Sequence, residues 1–384
     1  PTFNGLVSPT VILQEGLTSI GIYAFSGCSS LSSISLPESV KSIGNQAFNG
    51  CSSLSSINIP EGVTSIGDDA FNGCSSLSSV TFDGDSQLTS IGYNAFYDCS
   101  SLSSINIPEG VTSIDEHTFY GCHSLSSINI PDGVTSIGEY AFYGCSSLSS
   151  VTIPEGVTSI GERTFYDCRS LSSINIPERV TIIDDYAFYG CRSLSSITIP
   201  EGVKSIGSYA FYDCYSLVEI YNYSSLTVDG SSSVGYLGQY ALYVYNANGG
   251  TEPEPTKLTV DGNVQYYDDG TDIIAIGTFG NRNAINEITF KDGTTKINTY
   301  AFYGCYALTS VTLPSSVTEI GDSAFRDCSS LNSISLPSSV TSIGSSTFSS
   351  CSSLSSVTFG ENSQLESIGS YAFSDCESLS SINI

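Results

Sequence analysis

Apolar residues fall in one repeating order along most of the chain. In 54–74, LSSINIPEGVTSIGDDAFNGC, Leu54, Ile57 and Ile59 come first, Val63 and Ile66 follow, and Ala70, Phe71 and Cys74 close the unit. The spacing Leu-x-x-Ile-x-Ile puts Ile57 and Ile59 on one face of a strand and turns Ser56 and Asn58 outward, because side chains alternate across a strand. Ile59-Pro60-Glu61-Gly62 predicts a type I turn, with Pro second and Gly fourth. Val63 and Ile66 form a second short apolar segment that ends at Gly67. Its equivalents are Gly in most units but Asp115, Asp184 and Asn298 in three, and all three residue types tolerate positive φ, which predicts a left-handed backbone there. Ala70, Phe71 and Cys74, at i, i+1 and i+4, predict a short helical or 3₁₀ turn on the opposite wall.

The unit recurs. The 13 cysteines stand at 28, 51, 74, 99, 122, 145, 168, 191, 214, 305, 328, 351 and 376, at intervals of 23 residues apart from two of 25 and one long gap. One coil cannot bury Leu, three Ile, Val, Ala, Phe and Cys by itself, so neighbours must complete the core. With 384 residues the chain also exceeds the roughly 250–300 that one hydrophobic core supports. The reading is a repeat solenoid with a parallel β-sheet on one face and short strands and 3₁₀ or helical turns on the other. Nine Cys-anchored coils fill 1–221 and four fill 285–384. Between them 222–284 is Tyr-rich, alternates apolar and polar residues, and carries Asp-Gly turn signals at 261–262 and 269–270. It reads as a β-hairpin insert or bridge, with a linker at 248–256. The 25-residue intervals come from FDGDSQL (82–88) and FGENSQL (359–365), each a loop two residues longer than Ile-Pro-Glu-Gly-Val, bulging at the same edge.

The consensus L-x-x-I-x-I-P-x-x-V-x-x-I-G-x-x-A-F-x-x-C resembles the BspA-like, or Treponema pallidum-type, class of leucine-rich repeat, over 6–221 and 285–384. The resemblance implies a right-handed, gently curved leucine-rich-repeat coil with a parallel sheet along one side. It also implies secreted or surface proteins of host-associated bacteria and some parasitic protists, used for adhesion to host matrix proteins or to other cells. Fold does not by itself imply ligand, because repeat scaffolds serve many.

Charge narrows the partners. The chain has 11 Lys plus Arg against 38 Asp plus Glu, a formal charge of -27, which opposes nucleic acid and anionic membrane. No apolar run approaches the ~20 residues of a membrane-spanning helix, so no insertion is expected in the chain. Its start at Pro1 and its lack of Met imply a processed or excised segment.

Candidate chemistry is sparse. Cysteines on stacked coils keep Cβ atoms about 4.8 Å apart, whereas a disulfide needs about 3.8 Å, so the ladder reads as buried reduced thiols. His117 and His123 read as turn residues, the alternative being a catalytic pair of one of them with Asp115 or Glu116. Asp83 with Asp85, and Asp268 and Asp269 with Asp272, are weak calcium candidates in loops that lack a complete calcium-loop spacing, so the cofactor expectation is none, with calcium as the alternative. Asn222-Tyr223-Ser224 is a sequon, usable only if the source glycosylates secreted proteins.

Three outward ladders remain. The sheet face carries short polar residues such as Ser56 and Asn58 or Ser127 and Asn129. The turn edge carries Glu38, Glu61, Glu109, Asp132, Glu155, Glu178 and Glu201. Directly after the core Phe come Tyr97, Tyr120, Tyr143, Tyr166, Tyr189, Tyr212 and Tyr303, read as an exposed contact strip, with stacking between coils as the structural alternative. Arg163, Arg169, Arg179 and Arg192 cluster near these tyrosines and mark the expected epitope. The leading expectation is a non-enzymatic extracellular or cell-surface scaffold of adhesin type that binds a matrix or cell-surface protein. One alternative is end-to-end self-association into filaments, because the chain ends on LSSINI with no cap; another is a carbohydrate-binding module. An enzyme is the weakest reading, since no nucleophile is paired with a base.

Overall fold

Each unit folds as one coil whose open apolar walls are closed by the coils before and after it. The computed structural model describes residues 10–217, 219–228, 232–238, 243–246, 259–261, 264–268, 273–277, 287–290, 293–297, 299 and 301–383. The Leu-x-x-Ile-x-Ile segments form parallel strands without register shift: Ser56–Ile59 pairs with Ser79–Phe82 as Ser56↔Ser79, Ile57↔Val80, Asn58↔Thr81 and Ile59↔Phe82. The Ser-Ile dipeptides form a second parallel ladder, as in Ser42–Ile43, Ser65–Ile66 and Ser90–Ile91. The β-solenoid expected from the period is therefore the observed architecture.

The third wall is a run of tight turns in place of the expected helical or 3₁₀ turn. Ala70 N donates to Gly67 O (3.3 Å), Asn72 N to Asp69 O (3.1 Å) and Cys74 N to Phe71 O (3.0 Å). The residues between them donate outward instead: Asp69 N to Tyr93 O, Phe71 N to Ala95 O and Gly73 N to Tyr97 O, each at 2.8 Å. A helix needs every N–H for its own preceding turn, and here alternate N–H groups belong to the next coil. Among the described residues a 3₁₀ segment is found at Ser232–Val234.

Two sequence expectations shift by a few residues. The proline turn starts at Pro60, with Val63 N donating to Pro60 O at 3.0 Å, so Pro occupies the first turn position and Gly the third. Positive φ falls two residues after the conserved glycine, at Gln46, Asp69, Asn94, His117 and Tyr140, and again just before each Cys, as at Gly73 and Asp98. Gly67 itself is required by close approach: a Cβ there would lie 2.6 Å from Asn45 N and 2.8 Å from Gly44 C of the preceding coil.

Columns of identical residues fill the core. The rings of Phe25, Phe48, Phe71, Phe96 and Phe119 stack with centroids 5.3, 5.3, 5.3 and 5.6 Å apart. Each large apolar side chain so buried contributes roughly 1.5–3 kcal/mol. Where Thr replaces Ala beside the Phe, its hydroxyl is satisfied locally: Thr118 Oγ1 donates to Asp115 O (2.7 Å) and Thr164 Oγ1 to Gly161 O (2.9 Å). All 13 cysteines are free thiols. Cys74 Sγ donates to Phe48 O, and Cys99 Sγ to Phe71 O, both at 3.2 Å, so a thiol ties each coil to the carbonyl of the coil before.

The chain divides into two compact units, Pro1–Gly250 and Thr251–Ile384. In the first, Tyr243–Asn246 pairs parallel with Glu219–Asn222, so this part of the Tyr-rich segment continues the main sheet rather than forming a hairpin. In the second, Thr259–Asp261, Val264–Asp268 and Ile273–Gly277 form the antiparallel hairpins expected of an insert. A five-stranded parallel ladder from Glu287–Thr289 to Ser381–Asn383 follows in that unit. The linker 248–256 lies outside the described residues.

Gly67→Ala should lower stability by about 1–3 kcal/mol through overpacking against backbone. Gly161→Ala, whose added Cβ meets nothing nearer than 3.4 Å, should change it by less than about 0.5 kcal/mol. Urea midpoints of the two variants check this.

Candidate interaction surface

The sheet face is flat, polar and internally bonded. Ser56, Asn58, Ser104, Asn106, Ser127 and Asn129 are exposed. Asn129 Nδ2 donates to Asn106 Oδ1 and Thr81 Oγ1 to Asn58 Oδ1, both at 2.7 Å. On the turn edge Glu38, Glu61, Glu109, Asp132, Glu155, Glu178 and Glu201 are all exposed, as their pattern predicts, and Arg179 lies among them.

The tyrosines after the core Phe are half-buried, not fully outward. Tyr97, Tyr120, Tyr143, Tyr166 and Tyr189 stack face to face with centroids 4.5, 4.5, 4.6 and 4.6 Å apart and planes within 8°. Tyr212 continues the column at 5.6 Å, while Tyr303 in the second unit is buried. Stacking consumes the ring faces, so the column presents its edges, along which Tyr120 is hydrogen-bonded to Tyr97 and Tyr143. Burial, with Asp213 and neighbouring tyrosines adding to it, pushes the Tyr189 phenol up to about 12.

A second column runs beside the first and was not foreseen. It occupies the left-handed position two residues before Phe, where His117 stacks on Tyr140 (4.7 Å) and Tyr186 on Tyr209 (5.3 Å), and Tyr209 packs on Tyr236 (5.1 Å), which is also left-handed but precedes no Phe. Arg163 fills the gap, its guanidinium 5.3 Å from the Tyr140 ring and 4.6 Å from Tyr186. It also donates to the Tyr140 hydroxyl and to Glu162. The signal was present as Tyr-Ala-Phe-Tyr at 140–143, 186–189 and 209–212, which spells out both columns.

Arg163, Arg169 and Arg192 each have their own partner beside the tyrosines. Arg163 is part of the aromatic stack, Arg169 pairs with Asp167 at 3.0 Å, and Arg192 lies over Tyr215 at 5.6 Å. His117 is held in the stack with Nδ1 buried and without a hydrogen bond, and burial lowers its pKa. His123 is exposed, with Nδ1 2.8 Å from Gly144 O. Glu116 acts on His117 by its charge and opposes the effect of burial without overcoming it.

Among the other candidates, Asp83 accepts from Asn58 Nδ2 and its N–H bonds Ile59 O, while Asp85 stands exposed on the same loop. Asp268 ends the strand Val264–Asp268; Asp269 and Asp272 lie outside the described residues. Among the described residues no group of three or more His, Cys, Asp or Glu is arranged to hold a metal. Asn222 is buried, its Nδ2 donates to Leu226 O at 2.8 Å, and its Oδ1 accepts from Ser224. A glycan on that nitrogen is incompatible with this fold, which corrects the sequon reading.

The BspA type Leucine rich repeat region (6 copies) matches residues 2–125, 112–236 and 272–384, more than half of the chain. The chain belongs to the BspA-type leucine-rich repeat family. The BspA-type array is similar to a leucine-rich repeat protein from Bacteroides ovatus, at 30% identity over 97% of this chain and 86% of that one, with a TM-score of 0.53. A structure described as a leucine rich cell surface protein from Faecalibacterium prausnitzii is 27% identical over 98% of this chain and 90% of that one, with a TM-score of 0.45. A T. pallidum leucine rich repeat protein is 33% identical over 49% and 78%, with a TM-score of 0.36. No curated protein matches the chain. Among the described residues no helix is long and apolar enough to cross a membrane.

The thiols of the BspA-type array are the reverse of activated nucleophiles. Burial pushes Cys51 up to about 12 and Cys145 and Cys191 well up. Below an unfolded-state pKa of about 9, thiols are protonated in both states and their contribution to stability is complete. Above it only the unfolded chain ionises, and stability falls by about 1.4 kcal/mol per pH unit for each such thiol. The urea midpoint should therefore fall steeply between pH 9 and 12, and Cys51→Ala should make that fall shallower. At pH 8, a thiol reagent should modify at most Cys28 and Cys376 in the native protein, whereas all thirteen should react in guanidinium.

Proposed function

We propose that the protein is a non-enzymatic, adhesin-type scaffold at the cell surface or in the extracellular space, which binds a protein partner of the matrix or of another cell through its repeat surface. The observation that supports this best is the stacked column from Tyr97 to Tyr189, rigid before any partner arrives. Tyrosine already fixed by its neighbours loses little side-chain freedom on binding, and its hydroxyl edge supplies hydrogen bonds along a continuous line. Membership of a leucine-rich repeat family supports the same reading, because such repeats generally mediate protein interactions. The non-enzymatic part draws support from thiols that burial keeps protonated, since a nucleophilic cysteine needs the opposite shift.

The triple variant Tyr143→Phe, Tyr166→Phe, Tyr189→Phe keeps the stack and removes three hydroxyls. Against a panel of immobilised matrix proteins, retained partners should bind the triple variant about tenfold or more weakly, with an unchanged circular dichroism spectrum. Equal binding by the variant and the parent would overturn the column as the contact surface.

A further inference from the structure

The first of the two long loops, 82–88, follows the strand Ser79–Phe82 of the main sheet. On one flank Ser79–Phe82 pairs with Ser56–Ile59 at four positions. On the other flank it meets Ser104–Asn106 only at Ser79↔Ser104. Ser104–Asn106 in turn pairs with Ser127–Asn129 at three positions. The loop 82–88, two residues longer than Ile-Pro-Glu-Gly-Val, replaces the proline turn of that coil. A cleft of about 610 Å³ lies between Thr81 and Phe82 on one wall and Asn106, Pro108 and Glu109 on the other, with Gly84 to Gln87 as its rim.

The rim is anchored. Asp83 N donates to Ile59 O (3.0 Å), Gln87 N to Glu61 O (2.9 Å) and Gln87 Nε2 to Asp85 O (2.8 Å). Gln87 lines the cleft, and its amide is held by the Nε2 bond to Asp85 O. Asn106 Oδ1 is taken by Asn129, so its Nδ2 is the amide group left over. The carboxylates of Asp85 and Glu109 are exposed. No Lys, Arg or His lines the space.

We propose that this cleft is a binding site for a neutral saccharide. A site with several acceptors, one free amide donor and an apolar wall of Phe82 and Pro108 suits a ligand that carries many hydroxyl donors and an apolar C–H face. The volume lies within the roughly 300–1,000 Å³ of small-molecule sites. Anionic ligands find no cationic partner in it and face two carboxylates in a chain of formal charge -27. The site is separate from the tyrosine columns and does not rest on their role.

Saturation-transfer NMR and titration calorimetry on the whole chain, with lactose, cellobiose and maltose as neutral probes and sialyllactose as the anionic one, test the proposal. At least one neutral disaccharide should bind in preference to sialyllactose, and Asn106→Ala and Glu109→Gln should each weaken that binding about tenfold. Both substitutions are at exposed positions, and unchanged urea midpoints will show that the fold is kept. The proposal is overturned if no neutral disaccharide binds at millimolar concentration, or if binding survives both substitutions. It is equally overturned if sugar binding depends wholly on added calcium while Asn106→Ala leaves it intact.

Discussion

Everything in this protein depends on one translation: each coil must present to the next the same hydrogen-bonding groups that the previous coil presented to it. Two parallel ladders and the alternate N–H groups of the turn wall all run between coils. The backbone of one unit is satisfied only when its neighbours are in register. That constraint explains the monotony of the sequence. A residue that suits one coil must suit the same place in the others, because its partner is its own equivalent about 4.8 Å away.

The same constraint produces columns of like side chains, with different consequences by type. Phenylalanine stacks and fills the core, and cysteine is small enough to sit beside it while its Sγ–H reaches the carbonyl of the preceding Phe. Alanine would leave that carbonyl without its second donor. Tyrosines stack at the boundary, where the ring is dry and the hydroxyl wet. Carboxylates on the turn edge cannot stack favourably, and they stand fully in solvent where repulsion is screened.

Much of this is legible from periodicity alone: the strand face of Ile57 and Ile59, the second segment at Ile66, and the core Phe71 and Cys74 stand where the spacing puts them. What escapes is whatever depends on the neighbouring coil rather than on the coil itself. Gly67 looks like a residue chosen for positive φ, yet its role is to admit the backbone of Asn45. The helix-like spacing of Ala70, Phe71 and Cys74 is real, but half of the N–H groups are claimed from outside. Tyr143 looks exposed in one unit and is half-covered once Tyr120 and Tyr166 lie on either side. The cleft beside Phe82 is the clearest such case, because the loop length is written in the sequence while the wall formed by Asn106, Pro108 and Glu109 belongs to the next coil.

Within each unit the inter-coil ladders also set where a pull along that unit's own stack of coils is borne. No disulfide links one coil to another, and each coil is bonded to those beside it. Tension applied at an end is carried by the ladders and columns joining the terminal coil to the next, and yields them as a set before loading the coil behind. The chain then pays out about twenty-three residues at a time, many times the thickness of the coil that released them.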